Sequence, residues 1–455
     1  MNRPNILLLT IDSLRLDMLG CYGYARATTP NLDRLAATGI RFTQAITGGS
    51  WTQAAFPALL TSSYPSMYGG CTGPLSPARP SPIETLASHG YTSAGFSTNP
   101  HLSRVTSYDR GFGHFRDLVP AEAGPRLRDM KGGERFLRNS LTHYALLAAG
   151  KRMRPARAYV SAQEVTDVIC RWCDGAPVPF FLWVHYMDVH WPYHLEETLT
   201  DPRDIARAWR DLQHINRVTW RGATVTQSQR EYYIRLYEQA LYYVDTHIGR
   251  LLSSLERSGR LANTVVIVVS DHGEEFLDHG RWGHRQSNLY DEILRVPLLI
   301  RVPGNAGNKM VRHQVSTLDI MPTVLQLCDC PPPSGIEGAS LVLLWDHSRG
   351  HSYEMTEAIS EMHRDEWHRI AVRTEEFKYI WDNRHPDAAH LYDLQADPAE
   401  RCNVIQQYPE AARSFQSRVD IHRRRVAETS AAIALPELEL DETVISRLRG
   451  LGYIE

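Results

Sequence analysis

Thr264-Val-Val-Ile-Val-Val-Ser270-Asp271-His272-Gly273 begins as an apolar, mostly β-branched run and ends on a carboxylate and an imidazole. Branching at Cβ stiffens χ1 and suits a pleated strand. Apolar character at every position, rather than every second one, requires cover on both faces. The same reading fits Ile6-Leu-Leu-Leu-Thr-Ile11-Asp12 and Phe180-Phe-Leu-Trp-Val-His185. Helical patterns separate these runs. The alternation predicts an α/β fold with a mainly parallel sheet flanked by helices. In open sheets of this kind, ligands bind outside the carboxyl ends of the strands. Asp12 and the Asp271-His272 pair each follow a strand, so these two clusters are expected to converge on one site although about 260 positions separate them.

The rest of the pattern builds outward from that sheet. Residues 30–37 read as a helix, with Thr29 as N-cap and Pro30 in the first turn, where a missing N–H is tolerated. Between about 227 and 258, Tyr233, Tyr237, Leu241, Val244, Ile248, Leu251 and Leu255 recur every three or four residues, the spacing of a long helix buried along one face. Pro331-Pro332-Pro333 marks a break. Beyond it, residues 369–381 read as a strand pair and 410–426 as a helix. A chain of 455 residues exceeds what one core usually serves. We divide it into a catalytic domain over 1–345 and a smaller α+β subdomain over 346–455. Residues 120–158 carry nine Lys or Arg against three acids and read as a basic insertion or flap.

Composition excludes several classes. An apolar fraction of 43% and a charged fraction of 22% are those of an ordinary globular chain. A net charge of −3 gives no electrostatic case for nucleic acid or a membrane surface. No stretch approaches the roughly 20 apolar residues of a membrane span, and the run over 6–11 is too short for a secretory leader. A cytoplasmic location is the expectation. Seven cysteines at irregular spacing argue against a disulfide framework, and Cys170-Arg-Trp-Cys173 falls within a helical pattern. The expected partner is a small anionic ester. A homo-oligomer is left open.

Asp12, Asp271 and His272 offer hard oxygens and one nitrogen, a mixture suited to one divalent cation: Mn²⁺, Ca²⁺, Mg²⁺ or Zn²⁺. A nucleophile has to come from elsewhere. Gly48-Gly49-Ser50-Trp51-Thr52 is a loop just ahead of a predicted helix over 56–62. A hydroxyl there sits where backbone N–H groups and the helix dipole favour negative charge. Taken alone, Thr52 reads first as a helix N-cap.

Five stretches, in order and spanning nearly the whole chain, resemble the sulfatase branch of the alkaline-phosphatase superfamily. Arg3-Pro-Asn-Ile-Leu-Leu-Leu-Thr-Ile-Asp-Ser-Leu-Arg15 is similar to its opening strand, and Thr29-Pro-Asn-Leu-Asp-Arg-Leu-Ala36 to its first helix. Leu59-Leu-Thr-Ser-Ser-Tyr-Pro65 resembles the stretch after its nucleophile. Asp271-His-Gly-Glu, with Gly283-His284, Tyr290 and Arg295-Val-Pro297, resembles its second signature. Lys378-Tyr-Ile and Leu391-Tyr-Asp-Leu-Gln-Ala-Asp-Pro398 resemble its C-terminal hairpin. The resemblance implies an alkaline-phosphatase-like fold and a metal-dependent hydrolase of a phosphate diester, phosphonate ester or sulfate ester.

The chain also departs from that pattern. The family's Cys-x-Pro-x-Arg, whose Cys becomes formylglycine, aligns with Thr52, Ala54 and Phe56. Formylglycine cannot form from Thr. Gly95-Phe-Ser-Thr-Asn99-Pro-His101 stands where the family has Gly followed by Lys-x-His, the second N-terminal aspartate is Ser13, and a usual Lys is His284. The resemblance implies catalytic roles for Thr52, His190 and His284, with His190 in a His-x-Pro arrangement. It implies substrate binding by Asn99, His185 and Asp188, and metal binding by Asp12, Thr52, Asp271 and His272. Asp188 has Pro192, not His, at the fourth position, and His284 lies only 12 residues after His272, so one metal is expected rather than two. The alternatives are a transferase passing a phospho group to an alcohol and a non-catalytic binding protein with the same fold.

Overall fold

The structure is a computed structural model. It describes residues 3–69, 73–119, 159–195, 198, 202–284, 288–304, 307–346, 353, 357–364, 366–431 and 433. The expected basic insertion over 120–158 lies outside the described residues.

The main sheet contains β1 (Asn5–Ile11), β2 (Ile40–Ile46), β3 (Thr92–Ser97), β4 (His114–Asp117), β5 (Phe180–Tyr186) and β6 (Thr264–Ser270). A small pair, β7 (Glu275–Phe276) and β8 (Trp282–Gly283), stands apart, and β9 (Arg295–Arg301), β10 (Lys309–Val311) and β11 (Val315–Ser316) rejoin the sheet. The order is β10-β2-β9-β6-β1-β5-β3-β4, with β11 beside β2. Among the described residues β9 alone runs against the rest, antiparallel to both β2 and β6. The expected mainly parallel sheet is therefore present.

Side chains alternate across β1 with period two. Leu7, Leu9 and Ile11 face one core, and Ile6 and Leu8 the other. Helices cover both faces: α1 (Pro30–Ala37), α2 (Thr52–Thr61), α3 (Pro82–Ser88), α4 (Ala162–Gly175), α5 (Pro202–Arg221), α6 (Gln227–Arg257), α7 (Asp291–Leu294) and α8 (Ile320–Leu327). The predicted apolar stripe of α6 is buried along its whole length, and truncating one of its leucines to Ala costs roughly 2–5 kcal/mol. The cap of α1 differs from the sequence reading. Thr29 is the N-cap residue but its side chain makes no cap bond. Instead Asp245 of α6 takes the Asn31 amide at 2.9 Å and the Leu32 amide at 2.8 Å.

A second sheet follows: β12 (Ala358–Arg364), β13 (Trp367–Arg373), β14 (Phe377–Asp382) and β15 (His390–Asp393), antiparallel in that order. Helix α9 (Pro409–Ser430) covers one face through Phe415 and Val419. The other face packs on Ile46, Leu289, Ile293 and Leu294 of the main domain. Strand β12 also reaches the loop ahead of α2: the Glu361 amide donates to the Gly48 carbonyl at 2.9 Å, and Ser360 Oγ donates to the Thr47 carbonyl at 2.6 Å. No helix among the described residues is long and apolar enough to cross a membrane.

Candidate active site

The register sets the site. Thr10 lies opposite His185 of β5 and Val269 of β6, so Asp12 and Asp271 leave the same carboxyl edge of neighbouring strands. The convergence expected from sequence is observed. The Asp12, Asp271 and His272 ligand atoms all lie within 4.8 Å of one another and are fully buried.

Thr52 reaches this cluster from α2, which starts at Thr52 rather than at Phe56. Trp51 is extended and serves as N-cap, and its carbonyl already accepts the Ala54 and Ala55 amides. Thr52 is therefore the first helical residue, not the cap. Its Oγ1 lies 3.4 Å from Asp12 Oδ2 and 3.5 Å from His272 Nε2. Gly49 permits this approach: a Cβ there would sit 2.5 Å from the Ala54 carbonyl carbon. No side chain caps the helix start, so its first amides remain an anion-favouring pole.

The donor set fits a divalent cation. His272 Nδ1–H donates to the Gly273 carbonyl at 2.8 Å, which leaves the ring's lone pair on Nε2. That nitrogen lies 3.4 Å from Asp271 Oδ2 and 3.8 Å from Asp12 Oδ1. Asp271 Oδ2 is buried and makes no hydrogen bond. Carboxylate oxygens and a nitrogen lone pair thus face one another, an arrangement a metal ion satisfies. Burial works against ionising either carboxyl. For Asp12 the surrounding His190, His185 and His272 prevail and hold it well below the usual range. Asp271 is pushed well above that range by burial and by the charge of Asp12.

Of the remaining expected residues, His185 and Asn99 face Asp12. His185 is fully buried, with Nδ1 at 2.9 Å from Thr10 Oγ1 and Nε2 at 3.3 Å from Asp12 Oδ2. Both ring nitrogens are engaged within the protein, one on Thr10 and the other on Asp12. Asn99 Nδ2 donates to Asp12 Oδ2 at 3.2 Å. Asp188 is fully buried two positions before His190. The His190 and His284 rings lie edge to face at 4.8 Å, and His284 lies 4.4 Å from His272. His190 Nδ1–H donates to the Trp191 carbonyl at 2.6 Å, and burial pushes its pKa down to about 4.

Three residues that received no role from the sequence belong to the same cluster. Ser13 Oγ donates to Asp12 Oδ1 at 2.8 Å, and its amide donates to Asp271 Oδ1 at 3.2 Å. Glu274 Oε1 lies 3.2 Å from His284 Nδ1, and burial pushes this carboxyl up to about 7. His101 packs edge-on against Trp51 and is pushed down to about 3 by burial. Glu274 and Ser13 lie inside motifs already singled out. Their places beside Asp271-His272 and Asp12 were the available signal.

A family model described as sulfatase matches residues 4–330, and a second, described as N-sulphoglucosamine sulphohydrolase, C-terminal, matches residues 278–425. The chain belongs to the sulfatase family. It is a sulfatase-like ester hydrolase. An arylsulfatase of Clostridium perfringens is 24% identical, with 93% of each chain covered. The N-acetylglucosamine-6-O-sulfatase of Bacteroides thetaiotaomicron is 25% identical, covering 89% of this chain and 83% of the relative. The phosphonate monoester hydrolase of Agrobacterium radiobacter shares the fold, with a TM-score of 0.68 at 22% identity, covering 93% of this chain and 96% of that one. Within this sulfatase-family architecture, the helix start that meets the two aspartates carries a threonine.

Proposed function

We propose that this hydrolase cleaves a phosphate diester, phosphonate ester or sulfate ester through Thr52 as nucleophile, with phosphorus esters favoured. The observation that carries the reading is Thr52 Oγ1 at 3.4 Å from Asp12 Oδ2, at the start of an uncapped helix. One divalent cation held by Asp12, Asp271 and His272, with Thr52, would lower the pKa of the hydroxyl and offset charge on the ester oxygens.

The chain's own groups supply the rest. Thr52 Oγ attacks phosphorus or sulfur, its bond to that atom forms, and the bond to the leaving oxygen breaks. The hydroxyl proton passes to His190 or His284 and from there to the leaving oxygen. Water then attacks the threonyl ester, its proton follows the reverse path to Thr52 Oγ, and the acid product departs. A threonine cannot become formylglycine, so release by water is the route its chemistry leaves. This supports phosphorus over sulfur, because elimination from a geminal diol is closed.

The test uses the metal-loaded enzyme against aryl sulfate, phosphate mono- and diesters and phosphonate esters, with mass spectrometry of the quenched enzyme. The expected result is turnover of a phosphodiester or phosphonate ester and a modified Thr52 peptide. Thr52→Ala should lower turnover by several orders of magnitude, and Thr52→Ser should keep measurable activity. Near-normal turnover in metal-loaded Thr52→Ala would overturn the reading in favour of direct attack by water.

A further inference from the structure

Ser13 occupies a backbone conformation that a serine rarely takes. Its φ is +57°, in the left-handed region that favours glycine. Relaxing that angle would break three contacts together. The Ser13 amide donates to Asp271 Oδ1, its Oγ donates to Asp12 Oδ1, and the same Oγ lies 3.3 Å from His284 Nδ1.

The hydroxyl has a single proton, and at 2.8 Å it is given to Asp12. Toward His284 the Ser13 oxygen can therefore only accept. On the same nitrogen, Glu274 Oε1 stands at 3.2 Å. Glu274 is fully buried, with the Tyr193 hydroxyl as its other side-chain neighbour. The carboxylate is aimed at His284 through Oε1. With Glu274 ionised, two acceptors converge on Nδ1, and a ring nitrogen facing two acceptors carries the proton.

We propose that Ser13 and Glu274 are positioning residues that hold His284 with its proton on Nδ1, so that every proton His284 exchanges with substrate passes through Nε2. The inference rests on the reading of His284 as a proton carrier. It assigns a use to the Ser13 strain and to a buried carboxylate that the metal-holding set does not employ. It also explains why a serine is accommodated beside Asp12: it joins both aspartates to the imidazole through one residue.

The experiment reads the tautomer directly. The full chain is labelled with ¹⁵N-histidine, and its ring nitrogens are observed at about pH 9, well above the ordinary imidazole range. The His284→Ala spectrum identifies the resonances. In wild type, His284 should carry its proton on Nδ1. Glu274→Gln, whose amide oxygen can still accept, should keep that tautomer. The double variant Ser13→Ala/Glu274→Leu should shift the proton toward Nε2. Its kcat should fall about as far as in His284→Ala, in the range of about 10²–10⁴-fold for a general acid or base. Adding His284→Ala to that double variant should cost less than about twofold more, because residues acting as one unit are not additive.

A wild-type His284 protonated on Nε2, or a double variant that keeps the wild-type tautomer, would overturn the proposal. So would fully additive losses. These outcomes are separable from the nucleophile question. The tautomer is read without turnover, and Thr52→Ala leaves both acceptors of Nδ1 in place.

Discussion

Replacing Asp271 by asparagine should have opposite consequences with and without metal. The Asp12 and Asp271 ligand oxygens lie within 4.8 Å of each other. Two carboxylate charges at that separation repel by about 3.5 kcal/mol at an effective dielectric of about 20. Burial and the Asp12 charge push the Asp271 carboxyl upward, so in metal-free protein it escapes part of that repulsion by holding a proton. In Asp271→Asn, the amide oxygen still accepts the Ser13 and His272 amides now bonded at 3.2 and 2.9 Å. The NH₂ group takes the place of Oδ2, 3.4 Å from His272 Nε2, and can donate to its lone pair. Metal-free Asp271→Asn should therefore be more stable than wild type by about 2 kcal/mol, roughly half the repulsion. At about 2.1 cal/mol/K per residue, a chain of 455 residues should gain about 2 °C in Tm.

Metal reverses the order. Wild type at a free Mn²⁺ concentration of about 100 Kd should gain about 2.7 kcal/mol, or roughly 3 °C, and Asp271→Asn should gain little. The pH dependence has a definite sign. A carboxyl whose folded pKa is raised contributes stability that is present below its unfolded value and lost as pH rises through the folded one. The metal-free advantage of Asp271→Asn should therefore vanish near pH 4 and grow toward neutrality. Thermal unfolding of chelator-stripped protein, repeated with Mn²⁺, measures both effects. If metal-free Asp271→Asn is less stable than wild type and keeps the full Mn²⁺ shift, the reading of this pair as a metal-holding site is wrong.

His190→Ala should slow poor leaving groups by about 10²-fold or more and good ones far less; equal losses in steady-state assays would make it a substrate-orienting residue instead. His101, depressed to about 3 by burial, binds its proton only in the unfolded chain as pH falls from about 6.5. It should therefore remove about 1.4 kcal/mol of stability per pH unit in that window, and denaturant titrations of His101→Gln at pH 6 and 4 should show a slope shallower by that amount. Lys378 is fully buried between Asp291 Oδ1 at 2.5 Å and Glu400 Oε1 at 2.8 Å; without it Asp291 keeps Arg373, but the buried Glu400 loses its cation. Lys378→Met should cost about 3–5 kcal/mol in urea unfolding, and a loss under about 1 kcal/mol would contradict that assignment.

The sheet was legible because its strands are continuously apolar, and only a strand covered on both faces tolerates that pattern. The Asp12 and Asp271-His272 pair was legible for a related reason: polar groups directly after such strands can only lie at the sheet edge. The reversed direction of β9 was not legible, since Arg295-Val-Pro-Leu-Leu-Ile-Arg301 reads the same either way along the sheet. The start of α2 was misplaced because Gln53-Ala-Ala-Phe-Pro57 carries no amphipathic period: every residue of that helix is buried. The engagement of both His185 nitrogens depends on the β1–β5 register, which no local pattern encodes. The contacts of β12 with residues 47 and 48 go to backbone carbonyls, and a backbone acceptor leaves no trace in residue identity.

Those last contacts bear on the order in which the loop ahead of α2 is fastened during synthesis. Thr47 and Ser360 are 313 residues apart. At about 5–20 residues per second, the segment bearing Thr52 leaves the ribosome roughly 16–60 s before the strand that fastens the loop ahead of it. Until that strand arrives, the loop is held by the bonds of the Thr47 amide to the Leu294 carbonyl and of the Gly48 amide to Thr317 Oγ1, and lacks the two from β12. A nascent chain would therefore complete the setting of that loop only after β12 has emerged, and a chain cut off before residue 358 would build the aspartate edge but lack the two bonds that fasten residues 47 and 48 from the second sheet.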